Sequence, residues 1–408
     1  ALAIDADGAT AWRSGRDDAW LSLDFLRERE MGGLVLVWDS VDFATEYTLE
    51  TSDDGARWES AYTVTNGNGG RDPLYLPETE TRHLRLRVMR SSRGGGVALR
   101  DLAVQPAAWS QTPNAFFANL AKEAPRGAYP RYLTGEQSYW TVVGVSGDTR
   151  ESTINADGMV ETGIGMPSIE PFLYLDGRLL SWANVQSTPS LEKGYLPIPS
   201  VAWDAYPLRM TVTAFPVGER EESTVYVRYR LENRSNLVVM PVLYLAVRPF
   251  QVNPPWQFLN INGGVARIHD LAFDGRTVRV NGAPAVVSLT GATGWGAAPF
   301  DGGSVVEYLG AGRTPAARSV TDPRGFASGA LEYRWLLEAG GTADIVVAIP
   351  LHTSSRVPTD LDGEPPASLA GRLLDQSVQG WDAELNRFTL RLPAAMHGEE
   401  IANTIRSQ

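Results

Sequence analysis

Thr81-Arg-His-Leu-Arg-Leu-Arg-Val88 decides how the first quarter of this chain is read. Leu84, Leu86 and Val88 occupy every second position, with His83, Arg85 and Arg87 between them. A period of two marks a strand with one face on a core and the other in water. Working outward, Trp20-Leu-Ser-Leu-Asp-Phe25, Leu34-Val-Leu-Val-Trp38 and Tyr47-Thr-Leu-Glu50 read as further short strands. Turn-forming stretches separate them: Gly32-Gly33, Asp53-Asp54-Gly55, Asn66-Gly-Asn-Gly-Gly70 and Gly94-Gly-Gly96. Residues 1–105 are therefore expected to form an antiparallel β-sandwich.

Residues 106–135 differ. Pro106, Pro113, Pro125 and Pro130 surround one short helical stretch, Ala115 to Lys122, which reads as a linker with a docking helix. Residues 136–362 return to strands, now longer: Tyr139–Val143, Ser223–Leu231, Val238–Val247, Thr277–Val280, Leu331–Leu337 and Ala343–Ile349. Without βα alternation, this stretch is expected to be one large antiparallel sandwich with decorated loops. Residues 363–408 turn helical. Leu369, Leu373, Val378, Trp381, Leu385 and Phe388 recur at helical spacing after Pro365-Pro366, with Ser368 as the expected cap. Phe388, Leu390 and Leu392 then alternate up to Pro393. Gly398-Glu399-Glu400 opens a second helix through Ile401 and Ile405, its acidic first turn suiting the helix dipole. The expected fold class is all-β with a C-terminal helical linker, leading into a helical domain beyond Gln408.

Composition narrows the function. A formal net charge of -12 disfavours nucleic acid and anionic membrane as partners. No apolar run approaches the roughly 20 residues of a membrane span. The absence of cysteine excludes disulfides, thiolate metal sites and cysteine nucleophiles. His83, His269, His352 and His397 are scattered, with none at zinc-ligand spacing. There is no Gly-x-Ser-x-Gly elbow and no phosphate loop, and Lys122 and Lys193 are the only lysines. Glu161, Glu170, Asp176 and Asp204 lie among aromatic residues, but are expected to cap turns or pair with arginines such as Arg178 and Arg209. No catalytic set is expected.

The first segment resembles the discoidin or coagulation-factor type C family, a jelly roll shared with galactose-binding carbohydrate modules. The carriers are Ala3-Ile-Asp-Ala-Asp-Gly-Ala-Thr-Ala-Trp12, Trp20–Phe25, Thr51-Ser-Asp-Asp-Gly-Ala-Arg-Trp58 and Thr81–Val88. Many carbohydrate-binding members hold a structural calcium in the Asp-containing loop. Here Asp5, Asp7 and Thr10, with Asp101 from the last strand, could supply hard oxygens; alternatively the aspartates make Asx turns. Trp12 and Trp58 are expected in the core. Asn66, Asn68, Arg71 and Asp72 are the expected ligand groups, since planar hydrogen-bonding side chains beside glycines suit a sugar; the same loop can be a bare hairpin tip.

The middle segment resembles the β-supersandwich preceding an (α/α)6 barrel in glycan-processing enzymes. Ser168-Ile-Glu-Pro-Phe-Leu-Tyr-Leu-Asp-Gly177 with Trp182, Trp203–Phe215, Val225–Asn233 and Val238–Val247 carry it. The resemblance implies that any catalytic carboxylate pair lies on barrel loops outside this chain. Tyr195, Trp203, Tyr206, Trp256 and Trp295 stand near Pro/Gly-rich stretches, where aromatics can stack on sugars or dock the barrel; Trp256 and Trp295 are the expected sugar contacts. The expectation is the non-catalytic part of a modular bacterial glycan-active enzyme, periplasmic or extracellular. Its expected partners are an oligosaccharide or polysaccharide and the helical barrel. A surface adhesin without an enzyme is the competing reading, and a sandwich with an unrecognised hydrolase or lyase site is a third.

Overall fold

The computed structural model describes residues 3–5, 7–257, 261–358, 363–387, 391–393 and 397–407. The chain divides into two units: Ala1–Pro125 with Pro299–Ser304, and Arg126–Ala298 with Val305–Gln408. The stretch expected as a linker is thus shared between them, its helix belonging to the first unit.

In the first unit, β1 (Trp12–Arg13), β2 (Ala19–Trp38), β3 (Ala44–Ser52), β4 (Glu59–Val64), β5 (Arg71–Ser91) and β6 (Ala98–Gln105) precede helix α1 (Pro113–Glu123). They form one six-stranded sheet in the order β1-β6-β2-β5-β3-β4. The sheet bends into two layers because β2 and β5 are long enough to serve both. Ala19–Asp24 pair with Val88–His83, next to β3. Gly33–Val37 pair with Tyr75–Arg71 on one side and Gln105–Asp101 on the other. Register breaks at Asp24/Arg29 and Met31/Gly33 mark the bend, and Leu26 takes a left-handed φ of 65° there. The layers enclose Leu34, Leu36, Trp38, Tyr47, Leu49, Tyr62, Leu84, Leu86 and Leu99.

Gly32-Gly33, expected as a turn, lies inside β2. A Cβ on Gly33 would stand 2.1 Å from the Leu74 carbonyl oxygen and 2.9 Å from the Trp109 ring. The pair is needed for close approach, not for reversal. Trp109 and α1 cover this part of the sheet. Thr112 caps α1 by accepting from the Ala115 N–H, and Pro113 occupies the first turn. Phe116, Phe117, Leu120 and Ala121 then fall on the buried side. Phe116 meets Trp109 and Tyr75 edge-on at centroid distances of 5.0 and 5.1 Å.

The second unit contains β7 (Trp140–Val143), β8 (Ser152–Asn155), β9 (Val160–Glu161), β10 (Ser168–Leu175), β11 (Arg178–Leu180), β12 (Gln186–Glu192), β13 (Leu196–Ala205), β14 (Leu208–Val217) and β15 (Thr224–Asn233). It continues with β16 (Val242–Arg248), β17 (Asp270–Phe273), β18 (Thr277–Val280), β19 (Ala283–Ser288), β20 (Gly294–Ala298), α2 (Val305–Gly310), β21 (Ser319–Thr321), β22 (Ser328–Arg334) and β23 (Thr342–Pro350). One sheet has eight strands, in the order β20-β22-β16-β10-β9-β8-β7 with β11 beside β10. The other has nine, in the order β12-β13-β14-β15-β23-β19-β18-β17-β21. The pairings between these strands are antiparallel. Ile169, Leu245 and Leu331 from one sheet share a core with Val212, Val227 and Val347 from the other. The strand expected from Val238 begins instead at Val242, because Pro241 has no N–H for the ladder.

The tail is helical as expected: α3 (Pro366–Leu385) and α4 (Gly398–Ser407). Pro365, not Ser368, is the residue before the first turn of α3, and it makes no side-chain cap. Leu369, Leu373, Val378, Trp381 and Leu385 lie in one stripe against Ile198, Phe215 and Val346 of the nine-stranded sheet. Phe388 and Leu390 fall outside the described residues.

Candidate functional site

One end of the first unit gathers its loops. Gly69 takes φ +76°, and a Cβ there would meet the Phe43 ring at 2.7 Å, so loop 66–70 lies against Phe43. The Ser92 hydroxyl donates to the Val41 carbonyl at 2.6 Å, and Arg93 contacts Asp42. Arg13 reaches the same Asp42 at 3.7 Å. Arg100 donates to the Asp39 carboxylate at 2.6 Å and to the Gly8 carbonyl at 3.0 Å. The backbone N–H groups of Val41 and Asp42, then Arg100, hold the Asp39 pKa down to about 2. Loops 39–43 and 92–96 are thereby tied together by polar contacts, and loop 66–70 packs on them through Phe43.

Asn66, Asn68 and Arg71 are exposed at this end, whereas Asp72 is not. Arg71 is held by Glu123 of α1. Asp72 points into the core, where one carboxylate oxygen accepts from Trp38 Nε1 and the Tyr47 hydroxyl, both at 2.8 Å. Its expected role as a ligand group gives way to one as an internal acceptor. Val41, 49% exposed, adds an apolar surface beside the amides. This arrangement can donate and accept hydrogen bonds toward a polyhydroxylated ligand from planar side chains, with apolar carbon alongside.

The residues expected to hold calcium form a turn. Asp5 accepts from the Thr10 hydroxyl at 2.9 Å and from the Asp7 N–H at 3.1 Å, and these bonds lower its pKa. The Asp7 carboxylate accepts from the Ala9 N–H at 2.9 Å. Asp101 stands on β6 opposite Val37. Among the described residues no group of three His, Cys, Asp or Glu side chains is gathered as a metal cluster. As placed, Asp5, Asp7 and Thr10 make an Asx turn.

Trp58, expected in the core, lies on the outer face of the β2–β5–β3 layer, with the Arg85 guanidinium 4.1 Å from its ring centre and His83 edge-on. Trp12 is half-buried against the core. Trp295 is buried: its Nε1 donates to the Arg318 carbonyl at 2.9 Å and its ring packs on Phe273, so it offers no face to a sugar. Trp203 is likewise internal. Trp256 remains 60% exposed and touches Tyr132 edge-on. The Tyr195 hydroxyl donates to Asp382 of α3 at 2.9 Å.

Glu161, Glu170 and Asp204 of the second unit have fixed partners. Glu161 is buried, which raises its pKa, and accepts from the Asn253 and Gly165 N–H groups at 2.9 and 3.2 Å. Glu170 is buried with its pKa raised despite Arg248 at 3.0 Å. Asp204 pairs with Arg234 at 2.9 Å rather than closely with Arg209, at 3.9 Å.

The family model of the F5/8 type C domain matches residues 1–102. Residues 1–102 form an F5/8 type C domain. No curated protein matches the chain. Among solved structures, the chain is similar to chitosan-binding module 2 of a chitosanase/glucanase from Paenibacillus sp. IK-5, solved with chitotriose. That match has 23% identity and a TM-score of 0.24, and covers 26% of this chain and 83% of the module. The module CpGH89CBM32-5 of Clostridium perfringens, solved with GalNAc-β-1,3-galactose, is 19% identical with a TM-score of 0.24, covering 26% and 81%. A pectin-binding carbohydrate-binding module is 18% identical with a TM-score of 0.23, covering 26% and 79%. No helix among the described residues is long and apolar enough to cross a membrane.

Proposed function

We propose that this chain is the glycan-binding, non-catalytic portion of a modular bacterial glycan-active enzyme. The F5/8 type C domain at residues 1–102 carries the reading. Its loop-rich end, with Asn66 and Asn68 exposed beside Val41 and Arg93, is the surface that takes the sugar. The second unit acts as a supersandwich that supports and presents substrate to a helical catalytic domain. Its buried carboxylates are consistent with this, since Glu161 and Glu170 are engaged by backbone N–H groups and Arg248.

The test is a glycan array probed with the 408-residue chain, with and without calcium, beside Asn66→Ala and Asn68→Ala. Binding to oligosaccharides that either substitution weakens by roughly 10-fold, about 1.4 kcal/mol, is expected. An array blank under both conditions sinks the reading. Binding that requires calcium would mean that the Asp5–Thr10 turn opens to receive it, which Asp5→Ala would abolish.

A further inference from the structure

The second unit holds a groove of about 270 Å³ between the β7–β8 edge of one sheet and the β12–β13 edge of the other. It is the open mouth of the sandwich. Residues opposite each other in an antiparallel pair share a face. Ile154 and Val201 belong to the shared core, so Thr141, opposite Ile154, and Pro189, opposite Val201, also face inward. Tyr139 stands two residues before Thr141 and is 68% exposed at the entrance. None of the lining residues is charged, in a chain whose net charge is -12.

We propose that this groove binds the end of an uncharged oligosaccharide, one pyranose ring lying against Tyr139. A pyranose has an apolar C–H face bordered by hydroxyls, which matches an apolar floor bordered by the hydroxyls of Thr141 and Tyr139. A charged sugar finds no counter-charge in the lining. An extended peptide adding to the β12 edge would lack a donor at Pro189, which has no N–H. The inference rests on the glycan-binding reading and adds a second site to it, in the other unit.

The experiment titrates the full chain calorimetrically with neutral oligosaccharides of glucose, galactose and N-acetylglucosamine, followed by saturation-transfer NMR on each saccharide that binds. Tyr139→Ala is expected to weaken one binding event by roughly 10-fold, as loss of a stacking face does. Thr141→Trp, which fills the groove, should remove the same event, while Asn68→Ala leaves it intact. Circular dichroism and Tm confirm that each variant is folded. Neutral-sugar binding unchanged in both groove variants overturns the proposal, as does displacement of the saccharide by an extended Thr-Val peptide. If only Asn68→Ala matters, this site falls and the first stands; if no glycan binds, both fall.

Discussion

The first unit has two outer faces made largely by the same two strands, and they have opposite fates. In the first half of β2, Trp20, Ser22 and Asp24 face water while Leu21, Leu23 and Phe25 pack inward. In the second half, Val35 and Tyr75, which stands opposite Gly33, are buried as well, at 6% and 5% exposure, on the side covered by Trp109 and Phe116. The sequence marks the difference: Trp20–Phe25 alternates, whereas Gly33–Trp38 is a continuous apolar run, the pattern of a strand covered on both sides. The glycine pair before that run is where the covering segment presses closest.

The largest effects should follow this contrast. Phe116→Ala should cost the first unit about 3–5 kcal/mol, the range for emptying a buried aromatic site. Gly33→Val should be at least as damaging, because its Cβ would meet the Leu74 backbone, which cannot move aside. Urea unfolding monitored through the first unit's transition measures both. On the open face, Arg85→Ala should cost less than about 1 kcal/mol, although it removes the Glu50 pair and the Trp58 contact. Equal losses on the two faces would break the comparison.

Asp72 and Arg71 sharpen it at the level of one residue. Asp72 pairs opposite Leu36 and points inward, whereas Arg71 pairs opposite Val37 and points out. Asp72→Ala should cost about 3 kcal/mol by leaving Trp38 Nε1 and the Tyr47 hydroxyl without their buried acceptor. Arg71→Ala, which loses an exposed ion pair, should change stability by less than about 1 kcal/mol. Thermal unfolding of the two variants side by side decides it.

Asp72 was legible in principle. Leu74 and Leu76 set the inward phase of that strand, and Asp72 is in step with them. Trp58 was not. It is in step with Tyr62 and Val64, but the register shifts between Leu49/Glu50 opposite Tyr62/Ser60, and that bulge turns Trp58 to the outer face. A bulge leaves no mark in hydrophobic period. The same holds for Trp295: its Gly294-Trp-Gly296 setting reads as a loop, yet those residues are a strand paired with Glu332–Ala330. The long-range ties of the loop-rich end, such as Arg100 to Asp39, depend on topology that local pattern does not carry.

The contrast between covered and open extends to carboxylates of the second unit. Burial alone would raise the Asp148 pKa, but the Ser223 hydroxyl, the His352 ring and the N–H groups of Arg150 and Thr149 outweigh it and hold it at about 2. A carboxylate depressed from 3.8 contributes stability above that value and loses it as pH falls from about 4 through 2. The expected loss is about 2 kcal/mol, and Asp148→Asn should abolish this part of the acid dependence. Asp204, paired with Arg234 where both are over two-fifths exposed, should contribute less than about 0.5 kcal/mol on substitution by Asn. Denaturant titrations at several pH values between 2 and 7 compare the two. An unchanged pH profile in Asp148→Asn would show that the cluster does not hold the carboxylate charged.

The smallest effect is the most discriminating for the open face. Trp20 is a large aromatic on that face and 59% exposed, with Arg87 opposite it on β5. Arg87 is already held by Asp18 at 3.0 Å, so Trp20 is not needed to keep it in place. A large aromatic usually contributes through the area it buries, and here most of the ring stays in water. Its neighbours Leu21 and Leu23 face the other side and keep their packing when it is removed. Trp20→Ser should therefore shift unfolding by less than about 0.5 kcal/mol, the range for substitutions away from packed or paired groups. Measured under identical conditions beside Phe116→Ala, the two aromatics should differ by several kcal/mol despite lying on outer faces of one sheet. A loss at Trp20 approaching that at Phe116 would mean that the alternating half of β2 is covered as completely as the continuous half, and that period alone does not separate a wet face from a dry one.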